Sequence, residues 1–531
     1  MAKDKALAKK NEYDGVTTYT FKERNLFLTG LFGQNVIYNV LNTLFIGYYI
    51  RNVLFLPAVA IGVIVGVAQV WDAFNDIVMG TIVDKTRSKW GKCRPYLLFT
   101  PPVILAVSVL CFATDVYNGA ENMFSAHNIF VLLWAGVAYI CWGMSYTAGD
   151  IPLWGITSML TQNEKHRRNL HALCRTVAGI ASAIAVLGLV PISQAVAGIF
   201  EKRGVEGAER LGYFAVGAVF LLIASICFQL TAIKAKERVK PSKERYTVLQ
   251  NLKLMWKNKP YRAILLSGIF AGPRGIMMLV AMSLVQFYYA DKNPLKALLY
   301  LAILGGGLFG GMLICQMLAP KLADRFEKKT LYNFSMLIGV PPGIIIFSCY
   351  MISPSGMSQP IMLIFTALAF TMLGIGLGLY MVLQSNMIAD AIDYEEYTSG
   401  VRPDAVFYSG QTFITKIGSA ISTIIYGALC GLVGFSDIKV EALSQFINSG
   451  GIPREQFSRG AEIVNGFVEN AAATLTGDEV GKYMMIMFFA LSIPPSISSL
   501  LAVLPTRHYD LSREKLSNIL AELKVRREEQ N

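Results

Sequence analysis

The sequence predicts an all-α membrane protein, with twelve transmembrane helices in two six-helix bundles, and three observations carry that prediction. Of the 531 residues 54% are hydrophobic and only 16% charged, with a mean hydropathy of +0.46, which is too apolar for a string of soluble domains. Apolar stretches long enough to cross a bilayer recur near 26–50, 58–82, 96–114, 128–149, 172–198, 212–233, 262–289, 296–319, 331–352, 359–389, 405–435 and 483–505. The most charged interior stretch, 234–260, divides them six and six, the pattern of a duplicated bundle.

The organisation read from these spans is a cytoplasmic tail at 1–25, a first bundle at 26–233, a central loop at 234–260, a second bundle at 261–505 and a tail helix at 506–531. Within the second bundle, 436–481 reads as an external insertion with amphipathic helical patches, a solvated excursion more than a lid. Lys and Arg crowd the N-terminal tail, the loops after spans two, four and eight, the central loop and the C-terminal tail, and they thin out in the alternate loops. The positive-inside rule then puts both termini in the cytoplasm of a multi-pass plasma-membrane protein. That pattern also explains the net charge of +12 by orientation and anionic lipid, and no nucleic-acid partner is expected.

No charged-then-apolar leader with a small-residue cleavage site precedes the first span, so no removed signal peptide is expected. Eight cysteines lie singly, without a C-x-x-C, which disfavours disulfides and metal binding. Span two ends in Gly80-Thr-Ile-Val-Asp84-Lys-Thr-Arg87, and span eight in an Asp324 followed by Arg325, Lys328 and Lys329; the two sites occupy equivalent places in the halves. The glycines of spans eight and ten read as allowing close helix approach. The tail LSREKLSNILAELKVRREEQ reads as an amphipathic helix lying on the inner membrane face.

Charged residues inside the spans are the candidate site. Asp72, Asn75 and Asp76 in span two fall at i, i+3 and i+4, so their oxygens share one helical face. Each aspartate costs roughly 2.5–3.5 kcal/mol at mid-bilayer even on lenient scales. Hard oxygen ligands of that kind suit Na+ or a shared proton. Span four ends with Thr147, Asp150 and Trp154, a carboxylate one turn from an indole, which is a common way to hold a sugar. Lys416 and Gln411 sit in span eleven and Arg175 near the start of span five. The three acids against Lys416 and Arg175 leave one negative charge, which a monovalent cation would balance.

Four motifs, WDAFNDIVMG with DKTRSKWGKCRP, GMSYTAGDIPLW, the span-ten exit Ala389-Asp390-Ala-Ile-Asp393-Tyr394-Glu395, and Lys416-Ile-Gly-Ser, make the chain resemble the glycoside–pentoside–hexuronide:cation symporters of the major facilitator superfamily. The resemblance runs from about residue 20 to 435 and implies the major facilitator fold. It also implies a cation site at Asp72, Asn75, Asp76 and Thr147, with Asp72 and Asp76 holding the ion, and substrate contacts at Asp150, Trp154 and Arg175. Lys416 would link the two sites. Gln411 and Asn35 join the substrate set. Asp84, Arg87, Arg94, Asp390, Asp393, Tyr394 and Arg402 are assigned to the cytoplasmic gate.

One departure bears on the substrate: Asn35 stands where the melibiose carrier has a sugar-binding aspartate, and Gln34 where it has a lysine. The function expected is therefore secondary active import of a sugar or glycoside with Na+, with H+ or Li+ as other coupling ions. The alternatives are an acidic sugar, a uronide or sulfonated one, and a lysolipid. No enzyme is expected, since neither H-E-x-x-H nor G-x-S-x-G occurs. Beyond the cation no cofactor is expected, and the protein is expected to work as a monomer in the lipid bilayer.

Overall fold

The computed structural model describes residues 18–50, 53–118, 121–122, 124–161, 163–238, 247–290, 294–434 and 475–529, with positions 439, 443, 446, 447, 451, 452 and 454 between them. Among these residues the chain is helical, with no strand. Its spanning helices in the first half are α1 (Phe21–Asn39, continued by a π-helical segment Val40–Tyr49), α2 (Ala58–Lys85), α3 (Arg94–Phe112), α4 (Ala126–Thr157), α5 (Glu164–Lys202) and α6 (Ala208–Lys234). A short α7 (Val248–Lys257) follows. The second half runs through α8 (Lys259–Ala271), α9 (Ile276–Leu284), α10 (Pro294–Arg325), α11 (Lys328–Leu337), α12 (Val340–Ile352), α13 (Pro360–Ser399), α14 (Asp404–Leu432) and α15 (Gly477–Val503) to the tail helix α16 (Arg513–Glu529).

Among the described residues eleven helical stretches are long and apolar enough to cross a membrane, α8 with α9 and α11 with α12 each counting as one. The expected first span falls short of that measure for a local reason. Its α-helical part is 19 residues and opens with Lys22, Glu23 and Arg24, and the apolar remainder continues in the wider π-helical winding to Tyr49. Thr20 starts it with a capping box: its hydroxyl accepts from the Glu23 amide, and the Glu23 carboxylate accepts from the Thr20 amide.

By compactness the chain divides into two units, Met1–Asn258 with Ile388–Phe413 and Glu514–Asn531, and Lys259–Met387 with Ile414–Arg513. The end of α13 and the start of α14, which lie within the second bundle in sequence, and the tail helix, which follows it, thus belong to the first unit. In that unit Gly30 and Gly33 bring α1 onto α6, because a Cβ at either would run into Thr231 or the Ala224 carbonyl. In the second unit Gly374 and Gly378 do the same for α13, against the Leu308 and Met312 carbonyls of α10.

Side chains are distributed as a bilayer requires. On α2 Phe74 is 70% exposed while Asp76, two residues on, is 1% exposed: apolar groups face outward and carboxylates inward. Much of the 436–481 insertion lies outside the described residues. Where it is described it is packed, since Leu443 and Ile447 are buried in a cluster with Tyr288 and Phe488, which corrects the expectation of a solvated excursion at those positions. Its last residues already belong to α15, which Thr476 and Glu479 open with a second capping box.

The C-terminal helix also departs from expectation. Leu516, Ile519 and Leu523 form its apolar row and are all buried, and Arg526 donates to the Tyr397 carbonyl at the end of α13. The row packs on protein, so the helix does not need the membrane face to cover it.

Candidate functional site

Asp72 and Asp76 are one turn apart on α2, and Gly143 and Thr147 are one turn apart on α4. The two pairs meet in register. A Cβ on Gly143 would lie 2.6 Å from Asp72 Oδ1, so glycine is what lets this carboxylate approach α4. One turn on, the Thr147 hydroxyl donates to Asp76 Oδ1 at 2.9 Å, and the Thr412 hydroxyl of α14 shares its one proton between Asp76 Oδ2 at 2.8 Å and the Ser409 carbonyl at 2.7 Å. Both carboxylate oxygens are therefore held by hydroxyls from two other helices. Each hydroxyl that has given its proton still has lone pairs for a cation. Asn75 is half-buried on the same helix. Among the described residues no group of three His, Cys, Asp or Glu side chains converges as a metal cluster would.

The sugar-type constellation is built around α1 and α4. Buried Gln34 donates to Asp150 Oδ1 at 2.6 Å and also to the Tyr146 hydroxyl. Asn35 in turn donates to Gln34 Oε1 at 2.7 Å and to the Leu31 carbonyl at 3.0 Å. Asn35 therefore acts on Asp150 through Gln34, which the sequence reading did not place in the substrate set. Trp154 is buried, and the Arg175 guanidinium stacks 4.1 Å from its ring centre. One indole face thus carries a cation, an attraction beyond simple packing. Aromatic rings continue from Asp150 along α4: Tyr146 packs on Trp142 at 5.2 Å, and Trp142 on Tyr139 at 5.3 Å. Gln411 is buried on the first-unit part of α14. Lys416 lies beyond Phe413, in the second unit, half-buried.

A chain of buried ion pairs joins the helix ends of the first unit. Lys92 pairs with Asp84 at 2.7 Å and with Asp404 at 3.0 Å. Arg402 reaches Asp404 at 3.1 Å, Asp393 at 2.8 Å and Glu396 at 2.5 Å. Arg167 completes the run, with Asp393 at 2.7 Å and Asp390 at 3.4 Å. Asp84 also accepts from the amides of Ala405 and Val406 at 3.3 and 2.9 Å, in the first turn of α14, where a helix favours negative charge. Burial works against both cations of the adjoining loops. Asp404 and Asp84 outweigh it at Lys92, and Asp404, Glu396 and Asp393 outweigh it at Arg402, so both are held above their ordinary values.

Of the expected gate residues, Asp84, Asp390, Asp393 and Arg402 are in this network. Arg87 is exposed and bonds the Asp84 and Thr86 carbonyls of its own loop. Arg94 donates to the Ala232 and Ile233 carbonyls at the end of α6. Tyr394 packs beneath the Lys515 ammonium of the tail helix, 5.7 Å from the ring centre. The sequence reading missed Lys92, Arg167, Glu396, Asp404 and Thr412. Thr412 adjoins Gln411, and Asp404 directly starts a helix, so weak signals existed for those two.

Residues 26–449 match the model of a family described as MFS/sugar transport protein. The chain is similar to the isoprimeverose transporter of Lactiplantibacillus pentosus, 26% identical over 78% of this chain and 81% of that protein. It is also similar to the glucuronide carrier protein homolog of Escherichia coli, 25% identical over 74% of this chain and 80% of that protein. In structure it resembles the E. coli fucose:proton symporter, with a TM-score of 0.53 at 14% identity over 82% of this chain and 98% of that one, a likeness of fold.

Proposed function

Because the chain belongs to the MFS/sugar transport protein family, and so is a transporter and not an enzyme, we propose that it carries a sugar or glycoside inward with a monovalent cation by alternating access. Na+ is the preferred ion, with H+ and Li+ as the other candidates. The observation that carries this reading is Asp76, with each oxygen held by a threonine hydroxyl from a different helix and with Asp72 one turn away. Asp72, Asn75, Asp76 and Thr147 supply the ion's oxygens, and Thr412 adds a fifth side chain. Asp150, positioned by Gln34, supplies an acceptor for sugar hydroxyls beside Trp154.

Coupling follows from the arrangement. Thr147 and Asp150 are on α4, three residues apart, so an ion that orders this stretch also orders the sugar acceptor. Reciprocity then requires the sugar to raise ion affinity by the same factor, typically 1–3 kcal/mol. The ion-pair network at the ends of α2, α13 and α14 is the lock that must open for the substrate to leave on that side. With the basic ends facing inward, that side is the cytoplasm, and both termini lie there.

A second reading, an acidic sugar, is favoured by the Arg175 guanidinium beside Trp154 and by neutral amides at Gln34 and Asn35. The glucuronide carrier homolog among the relatives fits it. Thermal-shift measurements with a set of neutral glycosides and uronides, each with and without Na+, test both readings. A ligand whose stabilising effect grows with Na+ supports symport, because binding to the native state raises its stability. No stabilisation by any sugar at any Na+ concentration would refute it.

A further inference from the structure

α7 has an inner and an outer face that differ sharply. Thr247 starts the helix by accepting from the Gln250 amide, while Gln250 caps the Thr247 amide in return. On the inner face Asn251, 4% exposed, donates to the Thr81 hydroxyl at 3.0 Å. Just past the end of the helix, Asn258 donates to Glu395 Oε2 at 2.8 Å and to the Ala391 carbonyl at 3.1 Å. Thr81 and Glu395 each lie four residues before the last residue of a spanning helix, Lys85 and Ser399. At 1.5 Å per residue that is about 6 Å inside the helix end.

On the opposite face Leu249 is 77% and Trp256 54% exposed, with Leu252 also exposed between them. Positions 249, 252 and 256 recur at helical spacing and form one row. Lys253 and Lys257, both exposed, lie along its edge. An apolar row containing a tryptophan and flanked by lysines is the pattern of a helix lying in a membrane interface. The contrast with α16 excludes a general property of helices in this unit, because the α16 row is buried against protein.

We infer that α7 is an interfacial helix, with Leu249, Leu252 and Trp256 seated in the leaflet at the ends of α2 and α13 and Lys253 and Lys257 binding anionic phospholipid headgroups. Charge complementarity selects the occupant: the lysines border the apolar row where a phosphate would sit above the acyl chains. Asn251 and Asn258 then connect the lipid to the helix that carries Asp72 and Asp76 and to the carboxylate beside the ion-pair network. Anionic lipid should therefore stabilise the whole first unit, independently of any transported sugar.

The test uses the full chain. In detergent, phosphatidylglycerol should raise the unfolding temperature of the wild type by several degrees and phosphatidylcholine should not. The double variant Lys253→Glu, Lys257→Glu should lose that response. A Lys253→Gln, Lys257→Gln pair covers the case in which the Glu pair does not fold, and should lose most of it. In bilayers containing lipid brominated on the acyl chains near the headgroup, the Trp256 emission, taken as wild type minus Trp256→Phe, should be mostly quenched. A full phosphatidylglycerol response in both folded lysine variants would overturn the inference. So would an equal shift from soluble glycerol phosphate, or Trp256 emission quenched by aqueous acrylamide and not by brominated lipid, which would place a soluble partner on this face.

Discussion

Asp76 and Asp393 are both 1% exposed and both lie on spanning helices, yet the side chains that hold them include donors of different kinds. Asp76 takes hydrogen bonds from the hydroxyls of Thr147 and Thr412, and Asp393 from the guanidinium groups of Arg167 and Arg402. A hydroxyl fixes a carboxylate in position and leaves its charge in place. A guanidinium fixes it and cancels the charge. Threonine hydroxyls keep lone pairs that a cation beside Asp76 could use, and the two guanidinium groups on Asp393 tie helix ends together, so equal burial does not mean equal surroundings.

Breaking the ion-paired region should have the largest effect on the fold. Arg402 serves three carboxylates, and removing one partner of a buried pair costs about 3–5 kcal/mol. Arg402→Ala should therefore lower the unfolding temperature of the purified protein strongly, with Arg402→Lys restoring only part, since an ammonium cannot span the same three partners. A wild-type melting profile for Arg402→Ala would remove the network from the account of stability.

In the hydroxyl-held region the effects should fall on ligands. Asp150→Ala removes a charged acceptor and leaves Gln34 donating to Tyr146 alone. Sugar affinity should drop by roughly 2 kcal/mol, the scale of a lost charge-assisted bond, in a protein that melts near the wild-type temperature. Calorimetry showing unchanged affinity would disconnect Asp150 from the substrate. Smaller still, Thr412→Val deletes one of the two hydroxyls on Asp76. It should weaken cation binding by about 1 kcal/mol, a single neutral hydrogen bond, with the sugar affinity at zero cation unaltered; an unchanged cation titration would separate Thr412 from the ion.

The same comparison explains what the sequence could and could not convey. Asp72 and Asp76 stand out because a carboxylate inside an apolar span is anomalous within its own window, and the i, i+4 spacing is local. Lys92 and Arg167 do not stand out, since a cation near a span end reads as an orientation signal whether it is solvated or paired. Asp84 is only eight residues from Lys92, but the other partners are far off in sequence, 312 residues from Lys92 to Asp404 and 223 from Arg167 to Asp390. Gln34 was hidden for a similar reason: only packing decides which of two adjacent amides reaches Asp150. The amphipathic pattern of the tail helix could not show that its apolar row is covered by protein. Both α7 and α16 have an apolar row, and pattern alone does not say which row a protein surface already covers.

The central claim is that Asp76 is held for a cation, and sugar binding titrated at zero and at saturating Na+ in wild type and Asp76→Asn tests it most directly. Asn keeps the size of the side chain and an oxygen for one threonine hydroxyl, so the variant should fold and bind sugar. In the wild type Na+ should raise sugar affinity 5- to 150-fold, the usual range of coupling energies, and in Asp76→Asn that factor should fall to about one. If the variant folds and keeps the full Na+ stimulation, Asp76 is not the coupling ligand and the distinction between the two kinds of buried aspartate fails.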